Sequence, residues 1–312
     1  MGDPVLKWAG GKRQLLDELY ARFPEDHNHF HEPCFGGGAL FFDLKPDDGT
    51  INDTNNRLIN FYEQVRDRPD DLVQRLRAFK DPESEPDESR EFAETNWKGK
   101  EIKNYYYQQR ALFNRRPYDE DWPNDDGDRL EEAALLLYLN RTCYNGLYRE
   151  NSDGGFNVPI GRYANPDWVQ EARIRAASEI LENTNIYNRD FEYVLDVAEE
   201  DDLVYFDPPY EPKSPTAYFT DYSADGFDKD DQKRLLNTAQ ELDQQGVYVV
   251  ISNSGVTYDM YEEAGFSVEI EGATRAINSD AGNRDEVDEI IATNVPKKER
   301  QDTVGQASLG DY

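Results

Sequence analysis

An acidic residue, two prolines and a tyrosine directly follow a short apolar run in the second half of the sequence. Residues 202–206 (DLVYF) have the composition of a buried strand, and Asp207, Pro208, Pro209 and Tyr210 come next. The Asp207 carboxylate and the Pro208 carbonyl can both accept N–H protons from the exocyclic amine of a purine, and Tyr210 can stack on the base. The prolines restrict φ, which holds these acceptors in place before a substrate binds. We therefore predict a catalytic site for a base amine, although Asp before Pro is also common in plain turns.

A glycine-rich turn at residues 35–38 (FGGG) predicts a ligand site near the N-terminus. It follows a strand candidate that ends at Glu32, and glycines allow both a tight turn and the close approach of a ligand to helix N–H groups. Asp53 ends the next strand candidate, where an acid commonly binds ribose hydroxyls. The sequence lacks GxGxxG, which disfavours a dinucleotide, and the charge of Glu32 favours a cationic cofactor that carries a nucleoside. Taken alone, the turn is equally typical of a tight strand-to-helix connection.

The segment LKWAGGKRQLL, residues 6–16, has further features of a binding site. Trp8 offers a flat face for stacking, and Lys12 can neutralise a carboxylate. Between them, Gly10 and Gly11 permit close approach to the backbone. The alternative is an N-terminal helix cap with a tryptophan in the core.

Apolar strand-like runs alternate with helical periodicity at both ends of the sequence. This alternation predicts an α/β fold with a mostly parallel sheet. The expected strands are residues 30–35, 50–53, 185–190, 202–206, 247–252, 266–270 and 287–293, and the expected helices include 55–66 and 228–245. Because the middle of the chain is mainly polar and helical, we expect an α/β core of residues 1–62 and 188–295, an inserted helical domain of residues 63–187, and a flexible tail of residues 296–312. Residues 211–231 are expected to form a loop that orders over the substrate, or a plain connector.

The charge of the chain limits the partners that can be expected. The sequence has 34 Lys and Arg against 65 Asp and Glu, a formal net charge of −31. The acids are spread along the chain and 12% of the residues are aromatic, which favours a folded protein with a surface adapted to high salt over an acidic disordered chain. Nucleic-acid binding therefore needs local exceptions. Residues 97–116 are one, with six Lys and Arg against the single acid Glu101, although a solvated helix face would look the same.

Other features narrow the compartment and the chemistry. No stretch reaches the roughly 20 apolar residues of a membrane span, and the N-terminus lacks the features of a signal peptide. Cys34 and Cys143 do not form a disulfide framework, so we expect a cytoplasmic protein without membrane association. The histidines at positions 27, 29 and 31 lie close to Cys34, but this run overlaps the glycine-rich turn and nothing else supplies ligands, so we expect no metal.

Six motifs occur in a fixed order along the chain: LKWAGGK, EPCFGGGA, INDTNNRLINFY, NRTCYNGLYRENSDGGFNVPIGRY, RDFEYVL and DPPY. This ordered set resembles the Dam-type adenine-N6 DNA methyltransferases (class alpha, D12 family) through most of residues 5–294. The resemblance implies S-adenosylmethionine as cofactor, a seven-stranded methyltransferase sheet with one antiparallel strand, and direct methyl transfer to a flipped adenine without a metal or a covalent intermediate. The acidic loops at residues 81–94 and 119–128 depart from the family pattern.

The resemblance also implies that residues 1–62 and 188–295 are the catalytic domain and residues 63–187 the target-recognition insert, and it implies roles for individual residues. The target adenine would be held by Asp207, Pro208, Pro209 and Tyr210. The cofactor would contact Trp8, Lys12, Glu32, Phe35, Gly36, Gly38, Asp53, Asp190, Phe191 and Asp207. DNA would be recognised by Arg141, Tyr144, Asn145, Arg149 and Pro159. In the family, the tyrosine at the position of Tyr144 wedges into the duplex and the arginine at Arg149 contacts a guanine edge, which suggests GATC as the recognised sequence.

The expected partner is double-stranded DNA, bound by a monomer, with a restriction endonuclease of the same system as a further candidate. Two alternatives remain at this point. The same chemistry can act on an RNA base or on a protein amide, and a catalytically silent DNA-binding protein would carry many of the same motifs. The basic segment and the region around Arg149 favour duplex DNA.

Overall fold

Seven strands within the described residues form one β-sheet. The computed structural model describes residues 3–8, 10–96, 98–115, 126–209, 227–271 and 289–301. The strands are β1 (Phe30–Glu32), β2 (Gly49–Asn52), β3 (Thr184–Tyr187), β4 (Leu203–Phe206), β5 (Tyr248–Asn253), β6 (Ser267–Glu271) and β7 (Glu289–Thr293). Their order is β3-β2-β1-β4-β5-β7-β6, and β7 runs antiparallel to both of its neighbours while the other pairings are parallel. The predicted α/β fold with one antiparallel strand is confirmed.

Both faces of the sheet are buried, as is usual for parallel sheets that helices cover on each side. Leu203 and Tyr205 of β4 pack into a core on one face. Val204 and Phe206, which alternate with them, pack into a second core on the other face. This double burial explains why residues 202–206 read as a continuous apolar run instead of an alternating one.

Ten helices accompany the sheet in the part of the chain that the structure describes. They are α1 (Leu16–Tyr20), α2 (Ala39–Leu44), α3 (Asn56–Asp67), α4 (Pro69–Arg77), α5 (Tyr105–Arg115), α6 (Asp126–Thr142), α7 (Glu171–Leu181), α8 (Val194–Val197), α9 (Lys229–Gln244) and α10 (Tyr258–Glu263). The starts of the two helices predicted at residues 55 and 228 are confirmed: Asn55 and Asp228 each accept two backbone N–H groups of the first turn. None of the described helices is both long and apolar enough to cross a membrane.

Helix α6 is the centre of the helical region. It packs against α3, α4 and α5, and residues 133–139 are buried on all sides. A helix without a polar face along such a stretch must lie inside a core. That core is continuous with the core on one face of the sheet, so the helices and the sheet share one interior. Strand β3 belongs to the sheet although residues 184–187 fall within the expected insert, which moves the end of the insert upstream; the division into domains stays a prediction.

The chain continues to pack after β7 ends. Residues 297–299 form a short 3-10 helix, and the backbone around them bonds to residues 23–25 at distances of 2.8 and 3.0 Å. The buried Arg300 side chain lies 2.7 Å from Glu269 in an ion pair. The prediction of a flexible tail from residue 296 is therefore wrong for residues 296–301. Residues 302–312 lie outside the described residues.

Candidate active site and DNA interface

Three acidic side chains lie at strand ends along one edge of the sheet. Glu32 is the last residue of β1, Asp53 follows β2, and Asp207 follows β4. Because β1 pairs in parallel with both β2 and β4, all three carboxyl ends lie at the same edge. Ligands of open α/β sheets bind at this edge. We call it the catalytic edge.

Lys12 links Asp207 to a second carboxylate at the catalytic edge. Its Nζ lies 3.0 Å from Asp207 Oδ1 and 2.9 Å from Glu289 Oε1, and its side chain is only 8% exposed. Burial alone would lower the pKa of the Lys12 ammonium, but the two carboxylates raise it, so Lys12 is charged at neutral pH. No sequence motif marked Glu289. This residue opens β7, and the antiparallel direction of β7 brings its first residue, not its last, to the catalytic edge.

Burial raises the pKa of two carboxylates here. The pKa of Asp207 rises to about 6, because burial and the charge of Glu289 outweigh the opposing attraction of Lys12. Glu32 is 3% exposed, and its pKa is raised well above the usual range by burial and by the charge of Asp207, against a backbone hydrogen bond from Phe41. Glu32 Oε2 has no hydrogen-bond partner among the described residues. An edge with more carboxylates than cations suits a positively charged ligand.

Trp8 packs against the glycine-rich turn. A Cβ at Gly36 would lie 3.0 Å from the Trp8 indole. The indole also stacks on Tyr148, with ring centroids 5.0 Å apart and an interplanar angle of 27°. Gly38 precedes α2 with a φ of +64°, and a Cβ there would lie 2.3 Å from the Phe35 ring. The turn therefore needs glycine for its backbone angles and for its packing, and the structure brings together the aromatic and glycine residues that the sequence analysis predicted.

Asp53 is bonded to the same turn. Its Oδ2 accepts the N–H of Gly36 at 3.0 Å, and its Oδ1 accepts the backbone N–H two residues further on at 2.8 Å. The preceding residue, Asn52, donates its Nδ2 to the carbonyls of Pro33 at 2.9 Å and of Arg189 at 3.0 Å. Asn52 was not predicted as a site residue, although its position directly before a predicted ribose-binding acid indicated that it lies at the same strand end. These bonds join the ends of β1, β2 and β3.

Asp190 and Phe191 form a corner beside Asp53. The side chain of Asn188 donates to the Asp53 carbonyl at 2.7 Å, which holds this corner against the end of β2. Arg234 on α9 places its Nη2 2.8 Å from Asp190 Oδ1 and its guanidinium 5.0 Å from the Phe191 ring centroid. No sequence motif marked Arg234, because its position becomes informative only when α9 packs beside the corner.

Similarity to known proteins identifies the family of this chain. Residues 8–277 match the family model of D12 class N6 adenine-specific DNA methyltransferases. The chain belongs to this family. It is 40% identical over 295 residues to the Type II methyltransferase M1.LlaDCHI of Lactococcus lactis subsp. cremoris, covering 93% of this chain and 95% of the relative. It is 35% identical over 304 residues to the Type II methyltransferase M.MjaIII of Methanocaldococcus jannaschii, covering 93% and 98%. It is 34% identical over 293 residues to the DNA adenine methylase of Escherichia coli, covering 93% and 95%.

The protein is thus a DNA adenine-N6 methyltransferase, as the ordered motifs predicted. Family membership implies S-adenosylmethionine as the methyl donor. It also favours DNA over the alternative acceptors, an RNA base or a protein amide, and an enzyme over a silent DNA-binding protein.

A hairpin between α6 and α7 carries most of the DNA contacts predicted for this methyltransferase. It spans residues 143–160 and is closed by backbone bridges between residues 143 and 160 and between residues 150 and 156. Tyr144 donates its N–H to the Pro159 carbonyl at 2.9 Å, so these two predicted contacts lie side by side. The Tyr144 side chain is 51% exposed, and the neighbouring Asn145 is exposed with a φ of 56°. The recognition hairpin, as we call residues 143–160, therefore presents an aromatic ring to solvent.

Arg149 and Arg141 of the methyltransferase lie in opposite environments. Arg149 is exposed on the recognition hairpin and donates its Nε to Asn157 Oδ1 at 2.7 Å. Arg141 is 8% exposed, its guanidinium donates to the Val5 carbonyl, and burial lowers its pKa to about 10. The prediction that Arg141 contacts DNA is therefore corrected, because its donors lie inside the protein and support the segment that leads to Trp8.

The basic segment that precedes and includes α5 is less positive in the folded methyltransferase than in its sequence. Two of its cations pair with acids from other loops, Lys98 with Asp153 at 2.8 Å and Arg115 with Glu91. Arg110 donates to a carbonyl of the recognition hairpin at 3.0 Å and so joins α5 to it. Lys100 and Lys103 are exposed, whereas Trp97 and Arg116 lie outside the described residues.

Some predicted features of the methyltransferase cannot be placed. Tyr210 and the first part of the predicted loop, to residue 226, lie outside the described residues, while Pro208 is buried and Pro209 exposed.

His31 is buried, with Nδ1 2.9 Å from Thr50 Oγ1 and Nε2 3.0 Å from Asp202 Oδ2. Across the part of the chain that the structure describes, no group of three or more His, Cys, Asp and Glu could hold a metal ion.

Proposed function

We propose that the methyltransferase binds S-adenosylmethionine along the catalytic edge and receives the target adenine at Asp207. The observation that carries this proposal is the ion pair between Lys12 and Asp207 beside the glycine-rich turn. It places a partly buried carboxylate with a cation partner at the same sheet edge as the glycine-rich turn. A carboxylate in such surroundings is typical of a catalytic group.

The residues of the catalytic edge fit a cofactor that carries a positive sulfonium. Glu32 supplies a buried oxygen without a hydrogen-bond partner among the described residues, and a positive cofactor beside it would favour the ionised form that compensates for the sulfonium charge. Trp8 and the glycine-rich turn supply flat, close walls, Asp53 can accept ribose hydroxyls, and Asp190 with Phe191 can flank the cofactor's adenine. When bound, S-adenosylmethionine supplies a methyl group on an electron-poor sulfur.

In the proposed reaction, Asp207 and the Pro208 carbonyl orient the target amine. The lone pair of adenine N6 is delocalised into the ring, which makes the amine a poor nucleophile. When ionised Asp207 and the Pro208 carbonyl accept its two N–H groups, the lone pair localises and can attack the methyl group. N6 would become positive as its bond to the methyl carbon forms and the bond from that carbon to sulfur breaks with its electron pair left on sulfur, and Asp207 would stabilise the charge on N6 and receive the proton. Tyr210 would stack on the flipped base, whose extrusion from the duplex costs a few kcal/mol.

We propose GATC as the recognised sequence. Arg149 has the chemistry for a bidentate contact with guanine O6 and N7, and the exposed Tyr144 can occupy the space that the flipped adenine leaves. Asn145 directly follows Tyr144 on the recognition hairpin, and Pro159 lies beside Tyr144 on its returning side. Methylation of a randomised duplex library followed by sequencing of the modified sites should enrich GATC. Enrichment of another sequence would refute this specificity but leave the activity intact.

The names of the relatives suggest a biological setting. Two of them are Type II methyltransferases, so we propose that this protein protects DNA in a restriction–modification system beside an endonuclease of the same specificity. We expect it to act as a monomer on double-stranded DNA in the cytoplasm. The net charge of −31 suits a cell with a salt-rich interior. Size-exclusion chromatography and activity assays at low and molar KCl would test these expectations.

The role of Asp207 is tested by Asp207→Asn. Loss of the negative charge should slow single-turnover methyl transfer by about a thousandfold or more, while DNA and cofactor still bind. Asp201→Asn is the matched control, because Asp201 is exposed at the opposite end of β4 and its φ of 67° suits asparagine. A wild-type rate for Asp207→Asn would contradict the proposed role.

A further inference from the structure

The Lys12 ammonium contacts two carboxylates, and one of them lies far from every motif of the sequence. Asp207 follows β4 and Glu289 opens β7, yet both lie within 3.0 Å of Lys12 Nζ. Both carboxylates are partly buried, so neither is fully screened by water. Glu289 is thus part of the same electrostatic unit as the proposed catalytic acid.

Ionisable groups from several elements face Asp207. Lys12 is the cation of this set, and the other members are groups that become negative when they lose a proton. The set consists of Lys12, Glu32, Cys34, Tyr205 and Glu289. Burial and neighbouring acids keep the pKa of the Glu32, Cys34 and Tyr205 side chains well above their usual values. Lys12 and Glu289 are therefore the partners whose charges bear most directly on Asp207 at neutral pH.

A strong pair between Lys12 and Asp207 has two opposite effects on the proposed reaction. It keeps Asp207 ionised, which the target amine requires. It also draws the negative charge of the Asp207 carboxylate towards the ammonium, which weakens the carboxylate as an acceptor for the amine. A second acceptor for the ammonium resolves this conflict, because Lys12 can then shift towards it when the base arrives.

We propose that Glu289 is a positioning residue that shares the Lys12 ammonium with Asp207 and draws it aside when the target amine binds. This inference rests on the proposed role of Asp207 and extends it to a residue of the antiparallel strand. Without Glu289, Lys12 would lose one of the two carboxylates that share its ammonium, and the target amine would have to compete with a tighter pair between Lys12 and Asp207. The carboxylate would stay ionised to lower pH, but transfer would be slower.

The experiment measures single-turnover methylation rates from about pH 5 to about pH 9 for Glu289→Gln, Lys12→Met and the double variant. Glu289→Gln should lower the plateau rate about tenfold to a hundredfold and move the acid limb of the profile to lower pH. Lys12→Met should move the acid limb to higher pH, because it removes the charge that favours ionised Asp207. In the Lys12→Met background, Glu289→Gln should lower the plateau no further, since no ammonium remains to compete with the target amine for the carboxylate.

Two controls separate positioning from folding. Glu262→Gln removes the same charge from an exposed site on α10 and should leave the profile unchanged. If Glu289→Gln unfolds at a lower temperature, Glu289→Asp, which keeps the carboxylate, should restore the position of the acid limb. A plateau and limb equal to wild type in Glu289→Gln, or equal multiplicative losses in both backgrounds, would overturn the inference.

The proposed role of Asp207 fails by a different result. An active Asp207→Asn variant would remove the basis of both proposals. An inactive Asp207→Asn variant together with an unaltered Glu289→Gln variant would overturn the role of Glu289 alone.

Discussion

The catalytic edge and the recognition hairpin are proposed to serve one reaction, but they are built in different ways. At the catalytic edge, the side chains come from separate strands, and the central ion pair forms around a lysine that is 8% exposed. On the recognition hairpin, two backbone bridges hold a short loop whose main aromatic side chain is 51% exposed. Under the proposed function, chemistry at the edge depends on removal of water, whereas recognition depends on groups that water still reaches. Substitutions at the edge should therefore alter stability or rate, and substitutions on the hairpin should alter the choice of DNA.

The largest expected difference concerns two glycines with similar backbone angles. Gly38 at the edge and Gly154 in the hairpin have φ values of +64° and +72°, but a Cβ at Gly38 would meet the Phe35 ring at 2.3 Å while a Cβ at Gly154 meets nothing within 4 Å. Gly38→Ala should lower the free energy of unfolding by about 2–4 kcal/mol, and Gly154→Ala by about 1 kcal/mol from backbone strain alone. Urea unfolding of both variants measures the difference. Equal losses would show that packing at the glycine-rich turn does not matter.

Two arginines offer a comparison of the same residue type in the two settings. Arg141→Ala should lower the free energy of unfolding by about 1–3 kcal/mol, because it removes a buried charged donor and leaves the Val5 carbonyl without it. Arg149→Ala should change stability by less than about 0.5 kcal/mol but reduce discrimination between the cognate and a substituted guanine by about 1–3 kcal/mol. Thermal unfolding and rates on paired duplexes measure these effects. A change of specificity in Arg141→Ala together with a loss of stability in Arg149→Ala would contradict the roles given to these two arginines.

The pH dependence should also separate the regions. Because the pKa of Asp207 is about 6, the transfer rate should fall about tenfold per pH unit as the pH drops below that value. The folded-state pKa lies above the ordinary 3.8, so ionised Asp207 disfavours the folded state above about pH 6 and this cost disappears on acidification. DNA binding without cofactor should change little between about pH 6 and pH 8, since arginine does not titrate there. A parallel decline of binding and rate would place the titrating group on the DNA surface.

The smallest expected effect concerns salt. Lys98 and Arg115 already pair with acids, so DNA phosphates must displace those acids to gain contact. The slope of log affinity against log salt should therefore be shallow, and Lys98→Ala should change it by less than about one unit. Fluorescence anisotropy with a labelled duplex across a KCl series measures it. A steep loss of affinity towards molar salt would contradict an interface that depends on base contacts and stacking.

The sequence predicted those parts of the methyltransferase that depend on local rules. Apolar runs and helix caps located the strands and the helix starts, and the glycine-rich turn with Asp53 indicated one end of the cofactor site. Glu289 and Arg234 were not predicted, because antiparallel pairing and helix packing bring them to the edge from distant positions. Arg141 was misplaced for the opposite reason. Its neighbours in the sequence are recognition residues, but its own side chain points into the shared interior.

The continuous interior beneath the sheet and around α6 has a practical consequence for redesign. A transplant of the whole helical region from a relative would have to match the donor's apolar side chains to those of the recipient sheet, and mismatched volumes would leave cavities. The loop between residues 143 and 160 is a better unit of exchange, since its two ends are already tied to each other by backbone pairing. New target sequences are therefore more readily obtained by grafting this loop than by recombining domains.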